Sequence, residues 1–418
     1  MRHTSTHLPD LGDTRTAFAG RSDGDLRRAA WMFRVIGNPL LMAIGWRLTR
    51  AALALRFPVK GLVKATVFRQ FCGGETIGES LGVAARLAVS GIGTILDHGV
   101  EGQDEEAALD ATVEEVLRTI AVARGMPARF PFCVFKPTGI SRTRLLEDVG
   151  AGKALSPGEE EEWGRVRDRM ERLCRAAYDA GVPLLVDAEE SWLQPAIDGL
   201  VEAMMARYNR DRAIVYNTVQ LYRHDRLAFL KESHARAVAG GYHLGMKLVR
   251  GAYMEKERER AAELGHPSPV HADKAATDRD YDAAIAFCLD HVEPASGGPP
   301  RSPEGSTSAL SAGGGIAFMA GTHNEDSTLL LARSMAERGM APNDARIGFG
   351  QLLGMSDHIS YNLAAAGFNT AKYVPYGPVR EMLPYLVRRA EENTSTAGLT
   401  ARELALVKAE LARRAKGR

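Results

Sequence analysis

Residues 370–393 read TAKYVPYGPVREMLPYLVRRAEEN. The first five form an apolar β-type run, which a Pro-Tyr-Gly-Pro turn brings to an end. A helix follows, with Pro378 in its first turn, where a missing N–H costs nothing. On that helix Tyr385, Arg388 and Arg389 are spaced i, i+3 and i+4, so one face carries a phenol and two guanidiniums. Glu392 lies one turn further on and balances part of that charge. Two guanidiniums beside Tyr373 and Tyr385 suit a small carboxylate on an apolar body. Each charge-assisted hydrogen bond there contributes about 1.5–3 kcal/mol. Taken alone, the same helix also reads as a solvated arginine face paired with Glu391 and Glu392.

The strand–turn–helix unit recurs upstream. GTILDH (93–98) precedes a helix over 105–124, and FPFCVFKP (130–137) precedes an acidic helix over 159–180. VPLLVDAE (182–189) precedes WLQPAIDGLVEAMMARY, and AIVYNTVQLY (213–222) precedes a helix near 227–240. HLGMKLVRGAY (243–253), GIAFMAGTHN (315–324) and ARIGFGQLLG (345–354) complete the set, with a helical stretch at 357–366 after the last. Eight strand candidates with helical partners favour a closed (β/α)8 barrel over an open sheet.

Around this barrel, expected over 91–395, lie other segments. Residues 1–25 are polar and read as a mobile lead-in. Residues 26–90 read as helical pieces, including LRRAAWMFRVIG and LLMAIGWRLTRAALALRF. Arg27-Arg28 before the apolar stretch 29–46 faintly resembles a twin-arginine signal, but Arg34, Asn38 and Pro39 interrupt it. The expectation is an amphipathic helix resting on the core, or second to that on a membrane surface, rather than an exported or spanning segment. A Pro/Gly/Ser-rich stretch at 294–315, after a helix over 278–291, reads as a surface loop. The last segment, 396–418, reads as an amphipathic helix packed on the barrel.

The chain has 418 residues, 45% hydrophobic and 25% charged, with net charge +1. That balance gives no electrostatic case for nucleic acid. Cys72, Cys133, Cys174 and Cys288 are scattered without a C-x-x-C pattern, which favours a reducing cytoplasm over a disulfide framework.

In such barrels the active site lies at the carboxyl ends of the strands. There the sequence places Lys136, Asp187 with Glu189, Gln220, Lys247 with Arg250, Thr322-His323-Asn324, Gln351 and Tyr373. No H-E-x-x-H, G-x-S-x-G or strand-linked G-x-G-x-x-G is present. Zinc hydrolysis, serine catalysis and a Rossmann dinucleotide domain are therefore not expected. Asp187 and Glu189 could share a face as a glycosidase pair, yet the surrounding basic groups favour an anionic ligand. A Schiff base on Lys136 or Lys247 remains open, as does a non-catalytic amino-acid binding protein. A nucleotide cofactor fits over the barrel mouth. Lys247, Arg250 and the Gly251 backbone could take a pyrophosphate, and Gln220, His323 and Asn324 a flat ring or ribose.

Five motifs carry a family resemblance: VDAEES, KLVRGAYMEKERERA, GTHNED, FGQLLGM and YVPYGPVREMLPYLVRRAEEN. In this order they resemble proline dehydrogenase, the monofunctional bacterial enzymes and their mitochondrial relatives above all, over roughly 91–395. The resemblance implies a distorted (β/α)8 barrel with non-covalent FAD. It implies oxidation of L-proline to Δ1-pyrroline-5-carboxylate, the first step of proline breakdown to glutamate, with electrons passed to a quinone. The quinone link allows peripheral contact with a membrane. Carried over by position, Arg388 and Arg389 grip the proline carboxylate with help from Lys136. Tyr373, Tyr385 and Leu353 line the ring pocket, and Asp187 belongs to the same site. Gln220, Lys247, Val249, Arg250, Gly251, Ala252, His323, Asn324, Gln351 and Glu392 hold or neighbour FAD. Some family members carry Arg where Lys247 stands; lysine keeps the charge but loses the planar fork.

Overall fold

The computed structural model describes residues 8–36, 61, 64–100, 102–292, 314–383, 385–386, 389 and 397–416. Eight parallel strands run around a barrel: β1 (Gly93–His98), β2 (Cys133–Phe135), β3 (Leu184–Val186), β4 (Val215–Gln220), β5 (Leu244–Val249), β6 (Ile316–Gly321), β7 (Ile347–Leu352) and β8 (Thr370–Tyr376). Their hydrogen-bonded order is β1-β8-β7-β6-β5-β4-β3-β2. Between β1 and β2 no ladder forms among the described residues. The seam is instead held upstream of β2, where Thr94 N–H donates to Arg129 C=O at 2.8 Å. The barrel is therefore nearly closed and distorted, with the strand–helix rhythm that the sequence implied.

Strands buried on both faces read as nearly continuous apolar runs, which is why each was visible in the sequence. Their side chains divide by parity. Ile95, Val134, Leu185, Tyr216, Met319 and Ala371 fill the barrel interior. Leu96, Phe135, Val186, Val219, Met246 and Phe349 belong to the outer layer packed under the helices. The long helix Pro157–Ala180 shows why the helices begin and stop where they do. Ser156 and Glu159 form a reciprocal capping box at its start, and Gly181 ends it in a left-handed turn.

Residues 8–25 differ from the mobile lead-in expected of them. Asp13 caps a short helix, Thr14–Ala17, and Leu11, Ala17 and Phe18 are buried. Asp13 C=O accepts from Asn362 Nδ2 at 3.2 Å, and Arg21 pairs with Asp357. A polar composition hid these few apolar anchors. The helix Asp23–Ile36 packs on the closing helix Ala397–Lys416 through Leu26, Ala30, Leu406 and Val407. All of LLMAIGWRLTRAALALRF and most of the 294–315 stretch lie outside the described residues. Among the described residues no helix is long and apolar enough to cross a membrane. All four cysteines are buried free thiols.

Candidate active site

The parity that fills the barrel also builds a cavity above it. Two residues beyond each interior side chain comes the next one facing inward. Asp97 follows Ile95, Lys136 follows Val134, Asp187 follows Leu185, Thr218 follows Tyr216 and Tyr373 follows Ala371. All five line a cavity of about 720 Å³ at the carboxyl ends of the strands. Of the residues expected at the site, it also gathers Gln220, Lys247, Val249, Arg250, Gly251, Ala252, His323, Asn324, Gln351, Tyr385 and Arg389. Arg388 and Glu392 lie outside the described residues. Leu353 does not line the cavity. Its N–H donates to Tyr373 C=O at 2.9 Å, and its neighbour Leu352 faces inward instead.

The charges inside are paired. Lys136 Nζ lies 2.9 Å from Asp97, a buried carboxylate at the end of β1. Burial raises the Asp97 pKa, but Lys136, and behind it Lys247, hold it below the usual value. Lys247 pairs with Asp187 and donates to the Tyr373 hydroxyl at 3.0 Å. Burial, then the charges of Asp187 and Asp97, push the Tyr373 phenol well above its ordinary pKa, so it stays protonated. Asp97 obeyed the strand-end rule in the sequence and was missed only because GTILDH was read for its strand alone.

Just past β5, Arg250 is held on several sides. Its Nε donates to Asp278 at 2.8 Å, Nη1 to Thr322 at 2.7 Å and Nη2 to Ser327 at 2.9 Å. Its guanidinium also stacks over Tyr281, 4.3 Å from the ring centroid. Gly251 follows at φ 142, with Tyr222 so close that a Cβ would sit 1.7 Å from its ring, so only glycine fits. Gln220 Nε2 donates to Glu189 C=O at 2.6 Å, and Gln351 Nε2 to Thr322 C=O at 3.2 Å. Burial, reinforced by the positive charges of Lys372 and Arg389, lowers the His323 pKa to about 3, so this ring is neutral at working pH.

Arg389 lies 5.2 Å over the Tyr385 ring. Tyr385 packs with Phe68, Phe71, Met355 and Met382 in a small apolar cluster of its own. This cluster, which also holds Val379 and Leu386, seats Tyr385 against the cavity. Two further lining residues, Met355 and Arg402, carried no sequence signal, because a loop and the closing helix bring them there.

The proline dehydrogenase family model matches residues 81–402 of this chain. The chain belongs to the proline dehydrogenase family. Its sequence is 32% identical to the mitochondrial proline dehydrogenase 1 of Arabidopsis thaliana, over 97% of this chain and 86% of that one. It is 37% identical to the carbapenem antibiotics biosynthesis protein CarD of Pectobacterium carotovorum, over 83% of this chain and 84% of that one. Among solved structures, proline utilization A from Bdellovibrio bacteriovorus superposes with a TM-score of 0.65 at 17% identity, a likeness of fold. That match covers 92% of this chain, which spans 38% of the other protein's length.

Proposed function

We propose that this chain binds FAD and oxidises L-proline to Δ1-pyrroline-5-carboxylate, opening the breakdown of proline to glutamate, with electrons passing to a quinone. The observation that supports this most is the make-up of one cavity. Arg389, Lys136, Tyr373 and Tyr385 line it. Gln220, Lys247, Val249, Arg250, Gly251, Ala252, His323, Asn324 and Gln351 bring hydrogen-bonding and cationic groups from the strand ends.

The donor set suits a dinucleotide. Its volume lies within the roughly 300–1,000 Å³ typical of ligand and cofactor sites. Arg250 is a preset fork for a phosphate, and the neutral His323, Asn324 and the two glutamines suit ring edges and ribose. Glu392 belongs to the same set by position in the family pattern. When bound, the flavin supplies the two-electron acceptor for a hydride.

The chain's own residues supply orientation and charge. Arg389 grips the substrate carboxylate, with Arg388 assigned beside it by position. Lys136 assists, its charge shared with Asp97. Tyr373 and Tyr385 pack on the five-membered ring, with Leu352 as the apolar wall. Forming C=N from a ring C–N bond needs the nitrogen lone pair free of its proton. A net cationic surround lowers the amine pKa. Asp187 stands close enough to Lys247 to take up that charge balance when the amine is neutral. The carboxylate is thus held by the chain's own cations, the amine proton leaves to solvent on binding, and no covalent nucleophile is required. The quinone, being lipid-soluble, implies peripheral contact with a membrane.

The test is the visible spectrum of the purified protein under anaerobic conditions. Flavin bands that bleach on adding proline support the reading. A colourless protein that still binds proline would make it a binding protein. Borohydride trapping of a carbonyl substrate on Lys136 would make it a barrel lyase.

A further inference from the structure

Ser356 is the single non-glycine residue with positive φ among the described residues, at φ 50 and ψ 44. It precedes the helix Asp357–Ala365 in the cap position. A serine there ordinarily turns its hydroxyl back onto a free N–H of the first turn. No such bond forms. The hydroxyl instead meets His323 Nδ1 at 2.9 Å, and His323 lines the cavity.

A left-handed backbone is unfavourable for a residue with a Cβ, and it persists only where the surroundings over-determine it. Here they do so from both sides. Ser356 N–H donates to Glu403 Oε1, a buried carboxylate that reaches in from the closing helix. Ser356 C=O accepts from the N–H groups of Ile359 and Ser360 at 3.0 and 3.1 Å. Ser360 Oγ in turn donates to Gln351 Oε1 at 2.9 Å, a second cavity residue. Around Glu403 lie Asp357, with its partners Lys372 and Arg21, and His358, whose Nδ1 is 3.9 Å away. The residue before Glu403, Arg402, lines the cavity and pairs with Glu325 at 2.9 Å. The closing helix therefore touches the cavity directly through one side chain and indirectly through the next.

We infer that Ser356 and Glu403 are positioning residues for the dinucleotide. Glu403 pins the left-handed turn, the turn aims the hydroxyl at Nδ1, and His323 is held with Nε2 left as the ring nitrogen available to the cofactor. With the hydroxyl donating to Nδ1, Nε2 carries the proton and serves as a neutral donor to an oxygen of the ligand. This rests on the flavin reading above. It adds that the helix Ala397–Lys416, outside the barrel, is part of the cofactor site.

The experiment titrates FAD into the apoprotein and follows flavin fluorescence, the visible spectrum and Tm in each variant. Ser356→Gly removes both the strain and the hydroxyl. Its Tm holds or rises, while FAD binds about tenfold more weakly, as for one hydrogen bond lost, with a shifted flavin band. A merely structural serine would not move Tm and affinity in opposite directions. Glu403→Ala weakens FAD binding as well, and Glu403→Gln, which keeps an acceptor oxygen for Ser356 N–H, restores it. FAD affinity and spectrum unchanged in Ser356→Gly overturn the inference while leaving the flavin reading intact. A wild-type protein that takes up no flavin overturns both.

Discussion

The cavity holds its lysines and its arginine differently. Lys136 pairs with Asp97, and Lys247 with Asp187 and the Tyr373 hydroxyl. Arg250 is clasped by Asp278, Thr322 and Ser327 and stacked on Tyr281. An ammonium is a compact charge on a flexible stem; a guanidinium is a fork with fixed directions. The lysine pairs can exchange partners when a substrate arrives, since an ammonium can turn from its aspartate to the substrate carboxylate. The arginine is preset and gains nothing by moving. On the proposed reading this separates a reacting end, which must adjust as charge changes, from a wall that only has to hold.

The largest effect expected is at the reacting end. Arg389→Met removes a charge-assisted carboxylate contact, about 1.5–3 kcal/mol, so the proline KM should rise roughly 10- to 150-fold while FAD stays bound. Steady-state kinetics on protein with measured flavin content checks it. An unchanged KM removes the carboxylate role from this residue.

Swapping the two cation types tests the comparison itself. Arg250→Lys cannot reproduce three directed hydrogen bonds and the stack on Tyr281, and FAD affinity should fall about tenfold or more. Lys247→Arg keeps the charge where only one carboxylate and one phenol are met. Its effect on FAD affinity should stay within about threefold, a few tenths of a kcal/mol. Equal losses in both variants would erase the distinction between the two kinds of cation.

Behind the cavity the same contrast appears as a dependence of stability on pH. Burial, then the negative charge of Asp357, raises the Glu403 pKa from 4.5 to about 7. The folded state thus keeps a proton that the unfolded chain loses. This contribution is complete below about pH 4.5 and is lost as pH rises through 7. Asp357 works in the opposite sense. Burial raises its pKa, but Arg21 and Lys372 bring it from 3.8 down to about 2. Its contribution is complete above pH 3.8 and lost as pH falls through 2. Thermal unfolding from pH 4 to 8 should show the wild-type Tm falling relative to that of Glu403→Gln as pH rises through 7, because the lowered His323 pKa acts in the opposite sense and equally in both proteins. Parallel profiles in both would show that Glu403 carries none of the dependence.

How much of this was legible in the sequence follows from the same physics. The eight strands were, because a strand buried on both faces must be apolar along its length. Most of the cavity lining was, because a polar residue two positions past a buried interior one has to face inward; Asp97 fits that rule as well as Lys136 does. Leu352 obeys the rule too, since Phe349 belongs to the outer layer and Leu352, three positions on, faces inward where Leu353 does not. Ser356, Arg402 and Glu403 were not legible. A serine in a left-handed turn has no sequence signature, and the two helix residues matter only because a helix some forty residues further along the chain docks against that turn.

The smallest effect expected concerns the shape of the reacting end. Tyr373 is buried, and its hydroxyl is held by Lys247 at 3.0 Å, so the phenol cannot swing aside cheaply. On the proposed reading the substrate ring rests against it, and a hydroxyl at ring position 4 is crowded. A pocket that rejects one added group through packing discriminates by only about 1–2 kcal/mol, so proline should exceed 4-hydroxyproline in kcat/KM by roughly tenfold. Tyr373→Phe keeps the ring and the crowding but frees Lys247, so it should leave the ratio nearly unchanged. Tyr373→Ser opens the space and should bring the two substrates together, chiefly by raising kcat/KM for the hydroxylated one. If the wild type already treats both alike, Tyr373 does not face the substrate ring, and the lysine it anchors is then part of the holding wall rather than of the end that adjusts.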